Sequence, residues 1–307
     1  MNRRDFLKTA ATAALPVWRS SRVISAQQPA VAYRRLTDSL VVVDLGDGNV
    51  LCSSADPQRL VLVDTGTRRS VSQLTAAIQT VRQDAKVHIV FNTHYHADQT
   101  GGNDTVAAAG ATIVAHEHTR QWMSTDYWVP SENRYEQARA KAAWPTDTFR
   151  VTGSLTAGTE RIDYGHLPLA HTDGDIYIFF KDANVLAVGD VASPLRDPAL
   201  DYFTGAWIGG RVDAMDTILR LGNDETWIVP AAGLPLTRAE FKAERDMMEE
   251  VRRRVWARIL KGDSPGDMVD DGVLNGLRRA WKDPQKFLYD AAQGMFAHHN
   301  KLDPSVI

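Results

Sequence analysis

Three residues spaced by two, His94, His96 and Asp98, stand in the segment Phe91-Asn92-Thr93-His94-Tyr95-His96-Ala97-Asp98-Gln99-Thr100-Gly101-Gly102-Asn103. In an extended segment, side chains two apart point the same way. Two imidazoles and a carboxylate can then converge on one centre. Neutral imidazole is a good zinc ligand, and a carboxylate adds negative charge or serves as a general base. Gly101 and Gly102 permit a tight turn where the loop enters a helix.

The surrounding chain must supply the strands and loops that aim these groups. Leu40–Leu45, Asn49–Ser53 and Leu60–Val63 are short runs, mostly of Val and Leu, that predict strands. Gly46-Asp47-Gly48 contains an Asp-Gly pair between the first two runs and predicts a hairpin. Val71, Leu74, Ala77 and Ile78 share a face at helical spacing, and Val87–Phe91 is a strand leading into the histidines. Ala111–Val114 predicts a strand and His116–Met123 a short helix, while Pro130 and Pro145 break any long element within residues 125–148. Ile176–Phe180 and Val185–Val188 are strands about a polar turn at Asp182–Asn184. Arg211–Leu221 is a helix ended by Gly222, and Trp227–Val229 a strand. Thr237-Arg238-Ala239-Glu240 has the form of a capping box, opening a helix with Met248, Val251, Val255 and Ile259 on one face. The rest of the C-terminal part reads as largely helical.

The pattern His94-x-His96-x-Asp98 followed by Gly101-Gly102 resembles the metal-binding signature of the metallo-β-lactamase superfamily. Further segments agree in order: Asp64-Thr65-Gly66, His171-Thr172-Asp173-Gly174-Asp175, Gly189-Asp190 and Ile228-Val229-Pro230. The resemblance implies an α/β fold, a four-layer αββα sandwich, with the site on loops at one edge. It implies a first metal on His94, His96 and His171, a second on Asp98, residue 99 and residue 232, and Asp190 bridging both. Two departures stand out. Gln99 replaces a histidine common in the family, and Pro230-Ala231-Ala232-Gly233 stands where Pro-Gly-His-Gly is usual, with Ala232 at the histidine position. Alanine offers no donor, and an amide oxygen is a weak zinc ligand beside imidazole. The expectation is one zinc per chain on His94, His96 and His171, with Asp190 or water as the fourth ligand. The implied function is hydrolysis of a small molecule by zinc-bound hydroxide, with Asp98 as the catalytic group that orients the water or accepts its proton. The alternative is a metal-poor pseudoenzyme or ligand-binding protein on the same fold.

Other candidates read differently. Asp64 is expected to fix a turn rather than bind metal. His116 and His118, flanking Glu117, read as supporting or surface residues, His88 as packing or surface, and His166 as undecided. Adjacent residues of a helix point about 100° apart, so His298 and His299 make poor joint ligands. Ser193–Trp207, rich in Pro and aromatic residues, either overhangs the site as part of a substrate pocket or packs against helices.

The 307 residues are 44% hydrophobic and 24% charged, an ordinary soluble globular composition. Asn2-Arg3-Arg4-Asp5-Phe6-Leu7-Lys8 resembles a twin-arginine export signal, and residues 1–26 read as a removable leader ahead of one domain at 27–307. The apolar stretch Thr9–Trp18 is shorter than the roughly 20 residues that span a bilayer, so no stable membrane insertion is expected once the leader is gone. The leader holds five basic residues and one acid, so its removal takes the formal charge from −3 to −7. An acidic chain is a poor nucleic-acid binder. The expected location is periplasmic or secreted, and the expected partner a small-molecule substrate. Cys52, the single cysteine, reads as a small buried hydrophobe.

Overall fold

The computed structural model describes residues 31–129 and 133–301, so the leader expected at 1–26 lies outside the described residues, as does Pro130. The first sheet runs β1 (Ala32–Arg35), β2 (Leu40–Asp44), β3 (Asn49–Ser53), β4 (Arg59–Val63), β5 (Lys86–Phe91), β6 (Thr112–His116) and β9 (Asp147–Phe149), in that order. Pairing is antiparallel through β4 and parallel from β4 to β9. The predicted hairpin joins β2 to β3 with Asp44 opposite Asn49, and Gly46 takes the left-handed φ of 87° that the turn demands. β2 to β4 are buried on both faces over most of their length, which is why they read as continuous Val/Leu runs. Cys52 is buried among them, as expected.

The second sheet is β10 (Thr152–Ala157), β11 (Glu160–His166), β12 (Ile176–Phe180), β13 (Val185–Gly189) and β14 (Trp227–Pro230). Its pairing is antiparallel except for the parallel β13–β14 edge. A two-stranded ribbon, β7 (Tyr127–Val129) with β8 (Arg134–Glu136), lies in the region where no long element was expected.

Helices cover both outer faces. α1 (Val71–Val81) packs Leu74 and Ala77 on the first sheet, joining Val41, Val50, Leu62 and Ile113. α5 (Ile208–Leu219), α6 (Arg238–Ile259) and α8 (Pro284–Asn300) cover the second through Met215, Phe241, Val251 and Met295. α7 (Pro265–Asp270) adds Met268. The capping box at Thr237 and Glu240 is present. Between the sheets, Leu51, Val63 and Phe91 meet Ile162, Ile178 and Val229. These cores define the αββα sandwich. Phe91 is wholly buried there, and truncating it to alanine would cost about 3–5 kcal/mol.

One edge gathers the ends of β4, β5, β13 and β14. The sheets are tied there by Ile176 N–H to Thr93 O at 3.0 Å, and by Asn49 Nδ2 to Pro230 O at 3.0 Å and Gly233 O at 2.8 Å. The loops leaving these strand ends carry the chemistry.

Candidate metal centre

β5 delivers the chain into Asn92–Tyr95, and α2 (Ala97–Thr100) begins directly after His96. The extended run expected through Asp98 therefore ends at His96. His94 and His96 remain on one side, and His171, from the loop before β12, joins them. One ring nitrogen from each lies within 4.8 Å of the others, with His171 Nε2 and His96 Nδ1 3.0 Å apart. Two nitrogens on one tetrahedral zinc lie about 3.3 Å apart.

The opposite nitrogens explain which atoms face inward. Thr93 Oγ1 donates to Asp64 Oδ2 at 2.8 Å, which leaves it to accept from His94 Nδ1–H at 3.1 Å. His171 Nδ1–H donates to Ala199 O at 2.9 Å, and His96 Nε2–H to Asp201 Oδ2 at 3.2 Å. The protons thus sit on the outer nitrogens, and His94 Nε2, His96 Nδ1 and His171 Nε2 are left as lone-pair donors. Such outer partners fix tautomer and ring angle in metal sites. Burial, then the neighbouring His171 and His96, holds His94 well below the usual histidine pKa, so it stays neutral. For His96 burial opposes the charged form, but the Asp201 carboxylate outweighs it and its pKa is raised.

The residues fit a metal ion. His94 Nε2 is buried with no hydrogen-bond partner, and His96 Nδ1 and His171 Nε2, 3.0 Å apart beside it, have only each other. Unfilled, that arrangement is costly, and a cation satisfies all three.

Asp190 follows β13, with Oδ2 3.7 Å from His94 Nε2 and 3.9 Å from His171 Nε2. Gly189 before it has φ 58°, and a Cβ there would lie 2.7 Å from Thr93 Oγ1. Arg211 on α5, fully buried, donates to Asp190 O at 2.7 Å and Ala199 O at 3.2 Å, fixing the backbone of two site segments. Asp98, in the first turn of α2, lies outside the three-histidine group. Its Oδ2 accepts from Arg196 Nη1 at 3.0 Å. Gln99 is buried with neither amide atom partnered, and Ala232 is buried too. Asp64 accepts from the Thr93 N–H and hydroxyl, both at 2.8 Å, and has φ 63°, the turn-fixing role expected of it.

The remaining histidines stand apart. His116, His118 and His166 form their own cluster, His298 stacks on Trp207 at 3.7 Å, and His88 is exposed. A cavity of about 340 Å³ opens beside the trio, lined among others by Tyr95, His96, Tyr127, His171, Asp201 and Phe203. The Ser193–Trp207 loop contributes its Ala199–Phe203 stretch to that wall. A larger hollow of about 660 Å³ shares Tyr202, Lys286 and Asp290 with it and contains no histidine.

Residues 40–241 match the family model of the metallo-β-lactamase superfamily. The chain belongs to the metallo-β-lactamase superfamily. No curated protein matches the sequence. Among solved structures, a metallo-β-lactamase from Pontibacter korlensis is 18% identical with a TM-score of 0.57, over 71% of this chain and 99% of that one. The DIM-1 metallo-β-lactamase is 18% identical with a TM-score of 0.56, over 72% of this chain and 98% of that one. The stereoselective inverting sec-alkylsulfatase Pisa1 from Pseudomonas sp. is 16% identical with a TM-score of 0.63. That match covers 88% of this chain and 50% of the sulfatase. At these identities the likeness is one of fold.

For this superfamily member, the sequence did not single out Thr93, Arg196, Asp201 or Arg211 by function. Thr93 had a signal, standing directly before His94. Asp201 had a weaker one, lying in the aromatic loop marked as a possible pocket wall. Arg196 shared that loop signal, and Arg211 had none, because its partners are more than ten residues distant in the chain.

Proposed function

We propose that the chain is a metal-dependent hydrolase of a small-molecule substrate, holding one zinc ion on His94, His96 and His171 with Asp190 or water as fourth ligand. The observation that carries this is the set of three inward lone pairs, each fixed from behind by Thr93, Asp201 or Ala199. A bound zinc supplies positive charge to acidify water and polarise the scissile group. The protein's own part is positional. Asp98 keeps one oxygen on Arg196, and no donor among the described residues binds its Oδ1, which is free to orient a water. The 340 Å³ cavity, walled by Tyr95, Tyr127 and Phe203, takes the apolar part of the substrate. The leader-like residues 1–26 place the reaction outside the cytoplasm in this reading.

Elemental analysis of the purified chain should find about one zinc, and none in His94→Ala. A panel of β-lactams, secondary alkyl sulfates, thioesters, lactones and phosphoesters, run at known metal content, then finds the substrate. If no metal is bound and added zinc does not bind, the hydrolase reading is lost. The depleted ligands at Gln99 and Ala232 favour the competing reading, a ligand-binding protein, and that outcome would support it.

A further inference from the structure

The half of the site beyond Asp98 does not fit a second metal ion. Four segments meet there: Asp47-Gly48, Asp98-Gln99, Ala231-Ala232 and Arg196. A Cβ on Gly48 would lie 3.4 Å from Ala231 O and 3.6 Å from Gln99 Nε2, so the first three are in close contact. Arg196 Nη1 donates to Asp98 Oδ2 at 3.0 Å, and its Nη2 donates to Asp47 O. The Arg196 main chain is held in turn, its carbonyl accepting from Arg279 Nη1 at 2.5 Å, while Arg279 Nη2 binds Ser193 O at 2.7 Å. This arginine is therefore fixed at both ends. Beside it Gln99 is fully buried, with both amide atoms unpartnered.

We propose that Arg196 is the resident cation of this half-site, standing where a second metal's charge would stand, and that it excludes a second ion even when the missing ligands are restored. Guanidinium keeps its charge at every working pH and repels a dication at close range. It also engages Oδ2 of Asp98, the one strong ligand of this half-site besides Asp190, and neutralises that carboxylate's charge. The proposal rests on the one-zinc reading only for the identity of the neighbouring centre.

The test is zinc stoichiometry, by elemental analysis and titration, across one set of full-length variants. Wild type and the double variant Gln99→His/Ala232→His should both bind about one zinc. The triple variant Gln99→His/Ala232→His/Arg196→Met should bind about two, because Asp98 is released and the fixed charge is gone. Arg196→Lys in the same double background keeps the charge and should stay near one. Circular dichroism and thermal melts establish that each protein is folded. If the methionine variant is not, Arg196→Gln, which removes the fixed charge, takes its place and should likewise bind about two. A double variant that takes a second zinc with Arg196 present overturns the proposal. So does a folded triple variant that stays at one. Wild type without zinc would instead defeat the hydrolase reading, and the double-against-triple difference would still decide the role of Arg196.

Discussion

The molecule contains two His-x-His turns built alike and put to different ends. His94-Tyr95-His96 comes just after β5, and His116-Glu117-His118 begins on the last residue of β6, the neighbouring parallel strand of one sheet. Each leads into a helix, and the N-cap residues His96 and His116 have nearly the same backbone, φ −60° and −63° with ψ 149° in both. The difference is where the helix starts. In the first turn it starts after the second histidine, so both rings stay outside it and meet His171. In the second, α4 (Glu117–Ser124) starts after the first histidine and carries His118 into the helix. His116 Nδ1 then accepts from His118 N–H at 3.3 Å, and its Nε2–H donates to Arg150 O at 3.1 Å. His166 stacks on it at 3.7 Å and donates from Nε2 to Asp173 O at 2.8 Å. In the second cluster His116 spends both nitrogens on the protein, and His118 and His166 each spend one on Asp173 O, whereas the first leaves three inward nitrogens for something else. Among the described residues only the first trio brings three such donors close enough to share an ion. A metal site is thus defined by what binds the far side of each ring, more than by how many histidines are near.

The sharpest break of this comparison is deletion on each side. His171→Ala should abolish zinc binding, while His118→Ala should leave the stoichiometry unchanged. Zinc lost from both, or from neither, would show that the two clusters do not differ as described. A smaller effect sharpens the role of the outer partners. Asp201→Ala frees the back of the His96 ring and should weaken zinc about 10–100-fold, roughly 1.4–2.7 kcal/mol, read by competition with a chelator. Unchanged affinity would mean that His96 is oriented without Asp201.

The sequence made the fold and the histidine trio legible because both depend on local order: strand runs, a capping box, and motif segments in sequence. The hairpin of β10 and β11 was not legible. Its exposed and half-buried positions alternate along β10, but the residues are small or polar, Thr152, Gly153, Ser154 and Thr156. Its glycines answer to distant rings, since a Cβ on Gly153 or Gly165 would strike Tyr164 or Tyr177. At the site, residue spacing suggested that Asp98 would join His94 and His96. The helix start at Ala97 and the guanidinium of Arg196, about a hundred residues away, determine its position instead. Asp201 likewise acts through contacts with Tyr95 and His96 made only when the second sheet closes on the first, and Arg211 through contacts with Asp190, Ser193 and Ala199, more than ten residues away in the chain. Local patterns do not encode those contacts.

The second cluster makes a quieter prediction that the first cannot make. Burial, then the neighbouring His166, pushes His116 down to about 4 from 6.5. A histidine with a lowered folded pKa contributes stability that is fully present above its unfolded value. That contribution is lost as pH falls through the folded value. Protonation at Nδ1 would also end its acceptance of the His118 N–H that caps α4. Between about pH 6.5 and 4 the wild-type protein should therefore lose up to about 3 kcal/mol that a non-titrating cap does not lose. His116→Asn supplies that cap, since asparagine accepts the same N–H without taking a proton. Denaturant unfolding of both metal-free proteins across this window isolates the effect, because the first trio titrates in both and cancels in the difference. The variant should be less stable at pH 7, having lost the stack on His166, and should close the gap as pH falls toward 4. Parallel curves would mean that the ring already accepts a proton in the folded state at little cost, and the contrast between the two turns would then lie in their geometry alone.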